Sequence, residues 1–265
     1  MIKTNLLESS AAKKVTLQKG AFSVIEYERD MSVEPEKAEM AYFASQMDIR
    51  KRQLVCEIGD GIGVITQKGR MQLMLGDVRA STDIKSVGGL FKNIVSSTVT
   101  GETAIKPLYT GEGTLVLEPS FRYILLEDLD EWMNGLIIED GMFLACYDTV
   151  KIRVAARKTL SSAALGGEGL FNTSITGEGM VALESPVPRD ELIEIDLDDD
   201  TVKIDGSIAV AWSTDLEFTV ERTTQTLIGS MAAGEGFVNV YRGTGKVLVA
   251  PVRKNRGIPT PGNKK

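Results

Sequence analysis

Histidine is absent from the 265 residues. That removes the commonest general base, the commonest metal ligand and the usual partner of a nucleophilic serine. Cysteine occurs only at Cys56 and Cys146, with no paired spacing. The start, MIKTNLLESSAAKK, has no leader pattern. Two isolated thiols in such a chain read as reduced core residues of a cytoplasmic protein. No stretch approaches the roughly 20 apolar residues of a membrane-spanning helix, so direct membrane insertion is not expected. Excess positive charge is missing too. The 30 Lys and Arg face 37 Asp and Glu, for a net charge of −7 and a pI near 4.9. Phosphate contacts require a basic surface, so no nucleic-acid partner and no polybasic membrane surface is expected.

What remains is an ordinary globular composition, 43% apolar and 25% charged, able to bury a core without disulfides or metals. AFSVIEYE (Ala21–Glu28) alternates as a strand. EPEKAEMAYFASQMDIRKR (Glu34–Arg52) changes period, with Met40, Phe43, Ala44 and Met47 at helical spacing. Pro35 near its start and Arg50, Lys51 and Arg52 at its end suit a helix and its dipole. After Gln53 the pattern is β throughout. LVCEIG, GVITQ, FRYILLE, VKIRVAA and LEFTVER are short apolar runs with turn signals every 8–12 residues.

The β region repeats itself. TGEGTLVLEP starts at residue 110, TGEGMVALES at 176 and RGTGKVLVAP at 242, a spacing of 66 both times. Each carries Gly-X-Gly, at Gly111 and Gly113, Gly177 and Gly179, Gly243 and Gly245, and then alternating apolar residues. This reads as a tight turn feeding a strand. Upstream lie Gly-Glu echoes ending at Glu102, Glu168 and Glu235. LFNTSI before MVALES reads as an up-and-back hairpin. LIIEDGMFLACYDTVKIRV also matches VKIDGSIAVAWSTDLEFTV, and KGRMQLMLGDVRAS plays that part in a first copy with about six extra residues. Fixed-period repetition decides architecture. The expectation is an all-β fold of three tandem units in a closed, pseudo-threefold arrangement, each covering the next unit's edge, with one N-terminal helix. The divisions are 1–52 for the N-terminal strand and helix, 53–135, 136–201 and 202–251 for the units, and 252–265 for a flexible tail.

GEGLFNTSITGEGMVALESP, GEGFVNVYRGTGKVLVAP, DGMFLA, SIAVAWSTDLEFTVE and AYFASQMDIRKRQLVC together resemble the family called altered inheritance of mitochondria, member twenty-four, a domain of unknown function. The match runs from about Ala38 onward. The resemblance implies a fold similar to the tryptophan RNA-binding attenuator protein, with β-sandwich or double-stranded β-helix-like units. It implies no catalytic residue. The fungal mitochondrial member's association with inner-membrane organisation suggests a scaffold. The attenuator's tryptophan and RNA contacts do not map onto this chain.

Other chemistries fit less well. GDGIG (Gly59–Gly63) lacks the GK[ST] of a nucleotide loop and reads as a β-hairpin turn. The acidic run from Asp196 puts Thr201 and Ser207 where a calcium loop needs Gly and Glu, so it reads as a solvated turn between the strands IEID and TVKID. No Gly-X-Ser-X-Gly elbow exists. Trp132 and Trp212 read as core or interface anchors. Glu102, Glu168 and Glu235 are the candidate repeat-equivalent ligand site, if the units bring their carboxylates together. The expectation is therefore a non-enzymatic scaffold or assembly protein forming a homo-oligomer, with no cofactor, no catalytic residue and no metal site. The alternative is a small-molecule or metal-ion sensor with its ligand held between units.

Overall fold

A computed structural model describes residues 2–29, 31–81, 106–156, 171–206, 208–222 and 237–251. The chain opens with β1 (Lys13–Lys19) and β2 (Phe22–Tyr27), then one helix, α1 (Ala38–Gln46). Strands follow: β3 (Arg52–Ile58), β4 (Val64–Thr66), β5 (Met71–Ser81), β6 (Leu108–Leu117), β7 (Tyr123–Asp128), β8 (Leu136–Ile138), β9 (Phe143–Tyr147) and β10 (Lys151–Ala156). The last six are β11 (Phe171–Thr176), β12 (Met180–Ser185), β13 (Ile193–Asp205), β14 (Ala209–Ser213), β15 (Glu217–Arg222) and β16 (Phe237–Val249). The fold is thus mostly β-strand with one short helix. One sheet runs β1-β2-β3-β6-β4-β9-β12-β7 with β5 on β6, and the other runs β10-β11-β8-β14-β16-β13 with β15 on β16.

Period two explains why apolar runs such as MVAL form strands. Side chains alternate between the two faces of a sheet. Val181 and Leu183 of β12, with Leu125 of β7, enter a core between the two sheets, which also holds Leu136, Ile138, Val210 and Leu248. Met180 and Ala182, with Ile124 and Leu126, enter a second core. Every buried member of that second core comes from the first sheet, which therefore curls over itself. A third core gathers Trp212, Tyr241 and Val247 within the second sheet. Burying each large side chain of this kind contributes roughly 1.5–3 kcal/mol.

Cross-strand registers follow the sequence repeat. Leu115 faces Met74, Val181 faces Cys146 and Val247 faces Trp212. Lys151 faces Thr176 and Glu217 faces Arg242, 66 positions on in both strands. Arg79 faces Thr110, which puts the first-copy strand 72 positions before Lys151 and places the six extra residues between β5 and β6.

Several expectations need correction. The helix stops at Gln46, because Asp48 turns left-handed at φ 57. Arg52 already belongs to β3, so the basic cluster does not form a helix terminus. The acidic run is not a turn between two strands. It lies in continuous β13, whose register slips between Leu197 and Asp200 as a bulge against β16. β11 and β12 form no hairpin, since β11 pairs with β10 and β8 while β12 pairs with β7 and β9. The chain crosses from one sheet to the other there instead of reversing. Finally, no pairing among the described strands joins β5 to β13. The pairings of the described strands do not reach the third junction of the expected pseudo-threefold ring. GDGIG does form a tight turn: Asp60 and Gly61 take φ 52 and 82 between the mutually bonded Gly59 and Ile62, as a type I′ hairpin requires.

Candidate functional site

Two sets of residues were candidates on sequence grounds. Glu102, Glu168 and Glu235 lie outside the described residues. The six glycines have φ between 106 and 155. Gly111 and Gly113 lie inside β6, and Gly243 and Gly245 inside β16, whereas Gly177 and Gly179 lie in the bend between β11 and β12. Each pair marks where a strand changes neighbours. Before Gly243, β16 pairs with β15; beyond Gly245 it pairs with β14. The kink lets one strand serve both partners. Added Cβ atoms at Gly111 and Gly113 would run into the carbonyl oxygens of Asp77 and Leu75.

Both tryptophans are buried. The Trp132 indole N–H donates to Glu127 Oε2 at 3.1 Å. Trp212 lies 5.2 Å from Tyr241 and 5.8 Å from Phe218 between ring centres, and its indole nitrogen has no hydrogen-bond partner among the described residues. Burial pushes the Glu127 carboxyl above its ordinary range, against the Trp132 hydrogen bond and the nearby Arg189 charge. Glu194 is held below its ordinary range by hydrogen bonds from Lys246 and Arg189. Arg189 thus ties a buried carboxylate to an exposed one. Cys56 and Cys146 are free and buried, and burial raises both thiols far above the range where thiolates form.

The feature that sequence reasoning missed is the surface around α1. None of the residues in α1 is buried. Met40, Tyr42, Phe43 and Met47 project into solvent, joined by Met31, Ile49 and Phe121. Between α1 and β2 lies a groove of about 360 Å³, lined by Tyr27, Val33, Met40, Ala44, Ile49 and Phe121 among others. Its floor is charged and tied down. Arg50 reaches Glu26 at 3.0 Å and Glu28 at 2.8 Å, and Arg52 reaches Glu26 at 2.6 Å. Lys14 bonds Glu28 at 2.5 Å, holding that carboxyl below its ordinary range with help from Arg50. Arg52 also stacks 3.8 Å over the Tyr123 ring. These arginines anchor the base of α1 and leave its apolar face uncovered. The helical spacing of Met40, Phe43 and Met47 was visible in the sequence; their exposure was not.

A second uncovered strip is the start of β5, where Met71, Leu73 and Met74 are exposed. Among the described residues, no three Cys, Asp or Glu side chains converge as a metal site, and no helix is long and apolar enough to cross a membrane.

A sequence model described as Mitochondrial biogenesis AIM24 matches residues 43–252. The chain belongs to the AIM24 family. An uncharacterized protein of Streptococcus pyogenes serotype M6 is 28% identical over 201 residues, covering 73% of this chain and 78% of that protein. The fold resembles a crystal structure of another Streptococcus pyogenes protein, a structural genomics target, with a TM-score of 0.54 and 24% identity. That likeness covers 91% of this chain and 94% of the other. It concerns the fold alone. Neither relative's description assigns an activity.

Proposed function

We propose that this AIM24 member is a non-enzymatic assembly protein that works as a homo-oligomer in the cytoplasm. One observation carries the reading: apolar side chains stand exposed on α1 and along the start of β5. Clustered exposed apolar side chains of this kind are a mark of interaction surfaces. The buried free thiols suit a reducing compartment. The shared register of the β5–β6, β10–β11 and β15–β16 hairpins supports three tandem units of one design. Units that pair edge to edge within a chain have the surfaces needed to pair between chains.

The test is light scattering on the full chain after size exclusion, backed by native mass spectrometry. The expected result is a discrete multiple of the 28.8 kDa chain with no retained small molecule. A stable 28.8 kDa species at high concentration would sink the homo-oligomer reading. An extra mass in stoichiometry with the chain would favour the alternative, a ligand-binding sensor.

A further inference from the structure

Two seams inside the chain join one unit to the next. In the first, β4 pairs with β9, with Val64 opposite Tyr147, Ile65 opposite Cys146 and Thr66 opposite Ala145. In the second, β8 pairs with β14, with Leu136 opposite Ser213, Ile137 opposite Trp212 and Ile138 opposite Ala211. The second seam is the first moved along by 72 positions on one strand and 66 on the other. These are the offsets that the hairpin registers set independently.

Applied once more, the same offsets specify a third seam. Moving 66 positions on from Leu136 reaches Val202, at the end of β13. Moving 72 back from Tyr147 reaches Leu75, at the start of β5. Among the described strands neither segment has a neighbour on that side, since β13 pairs only with β16 and β5 only with β6. Burial records the vacancy. Ala145 and Ala211 are 0% exposed in the existing seams, whereas their counterpart Leu73 is 44% exposed. Cys146 and Trp212 are 0% and 1% exposed, whereas their counterpart Met74 is 37% exposed. Where Ala or Cys suffices in a covered strand, β5 carries Met, Leu and Met in the open.

We propose that Met71–Leu75 of one molecule pairs antiparallel with Thr201–Ile204 of a second copy. The register is Val202 opposite Leu75, Lys203 opposite Met74 and Ile204 opposite Leu73. The two surfaces differ, so the contact is heterologous and joins chains head to tail, giving a ring if the rotation closes. Among the described strands neither edge is paired on that side, and a free strand edge is the template for strand addition. Lys203 stands where the internal seams have Ile65 and Ile137. Its ammonium is bonded to Glu221 at 3.2 Å, which leaves the alkyl stem to lie on Met74. This seam is accordingly weaker than the two internal ones. The proposal rests on the homo-oligomer reading and adds the surface and register.

The experiment uses full-length chains with Leu73→Cys or Ile204→Cys. Opposed antiparallel residues lie about 4.5–5.5 Å apart, within disulfide reach, and the native thiols are buried. Mild oxidation of the mixed single variants should yield a disulfide-linked dimer on a non-reducing gel. Leu73→Cys mixed with Asp196→Cys, an exposed site farther along β13, should not. Met74→Lys, which sets like charges opposite each other, should shift the light-scattering mass to that of one chain. An oligomer that gives no cross-link and ignores Met74→Lys would overturn this interface and leave the homo-oligomer reading standing. An intrachain disulfide in the Leu73→Cys, Ile204→Cys double variant would overturn it too, by placing the third seam within one molecule. A wild-type monomer would remove both.

Discussion

At the residue scale, two equally buried tryptophans do different work. Trp132 satisfies Glu127 through its N–H, whereas the Trp212 N–H meets no acceptor among the described residues. Losing a donor to a buried carboxylate costs about 1–3 kcal/mol beyond the lost packing, whereas removing an unpartnered N–H does not. Chemical denaturation should therefore find Trp132→Phe clearly more destabilising than Trp212→Phe; the reverse order would contradict the hydrogen bonding described. The carboxylates sharing Arg189 make a paired case. The folded-state pKa of Glu194 lies below its ordinary 4.5. Its contribution is thus present above that value and fades as pH falls through the depressed one. The folded-state pKa of Glu127 lies above 4.5. Its ionised form is a cost, fully present above the raised value and absent below 4.5. Melting curves across pH should show Glu194→Gln hurting most at neutral pH and least in acid. Glu127→Gln should gain relative to wild type as pH rises. Parallel profiles would show that the two sites are not distinguished by burial.

At the scale of elements, much was legible. AFSVIEYE, LVCEIG, GVITQ, FRYILLE, VKIRVAA and LEFTVER are all strands, because alternation or short apolar runs between turn residues leave few other ways to bury them. The failures were junctions. Gly-X-Gly and the acidic run have turn chemistry, yet both lie in or between strands that run on. The reason is the neighbours, since a kinked β16 can hold both β15 and β14 only if its backbone bends at Gly243 and Gly245. That gives glycine different values at different places. Gly61 is at φ 82 with open space around it, while Gly111 is at φ 115 with the Asp77 carbonyl where a Cβ would go. Gly61→Ala should cost on the order of 1 kcal/mol, and Gly111→Ala about 1–3 kcal/mol more from the forced backbone shift. Equal losses in urea melts would argue against the kink as a packing requirement. The length of α1 was overread for a similar reason. Its basic end suited a helix dipole, but Arg50 and Arg52 are taken by Glu26 of β2 and by Glu28 just beyond it.

At the scale of the whole molecule, the homo-oligomer proposal is carried by the exposed start of β5 and the exposed apolar side chains of α1. If the native species is an oligomer, dissociation is coupled to unfolding and stability depends on chain concentration by mass action. Differential scanning calorimetry over a hundredfold range of concentration should show the melting temperature rising with concentration. A constant value would mean that the exposed strips contribute nothing to the folded state.

The sequence by itself determined a β-rich chain, the 66-residue recurrence, the strands on either side of each glycine pair, and the absence of histidine chemistry. These depend on residue type and spacing, which are local or periodic. Only the tertiary structure decided which strand lies beside which, that β11 and β12 belong to different sheets, and that Leu73 is bare where Ala145 and Ala211 are covered. The physical reason is that pairing and burial belong to neighbours brought together from far along the chain. The same alternating run reads alike whether its outer edge meets another strand or water.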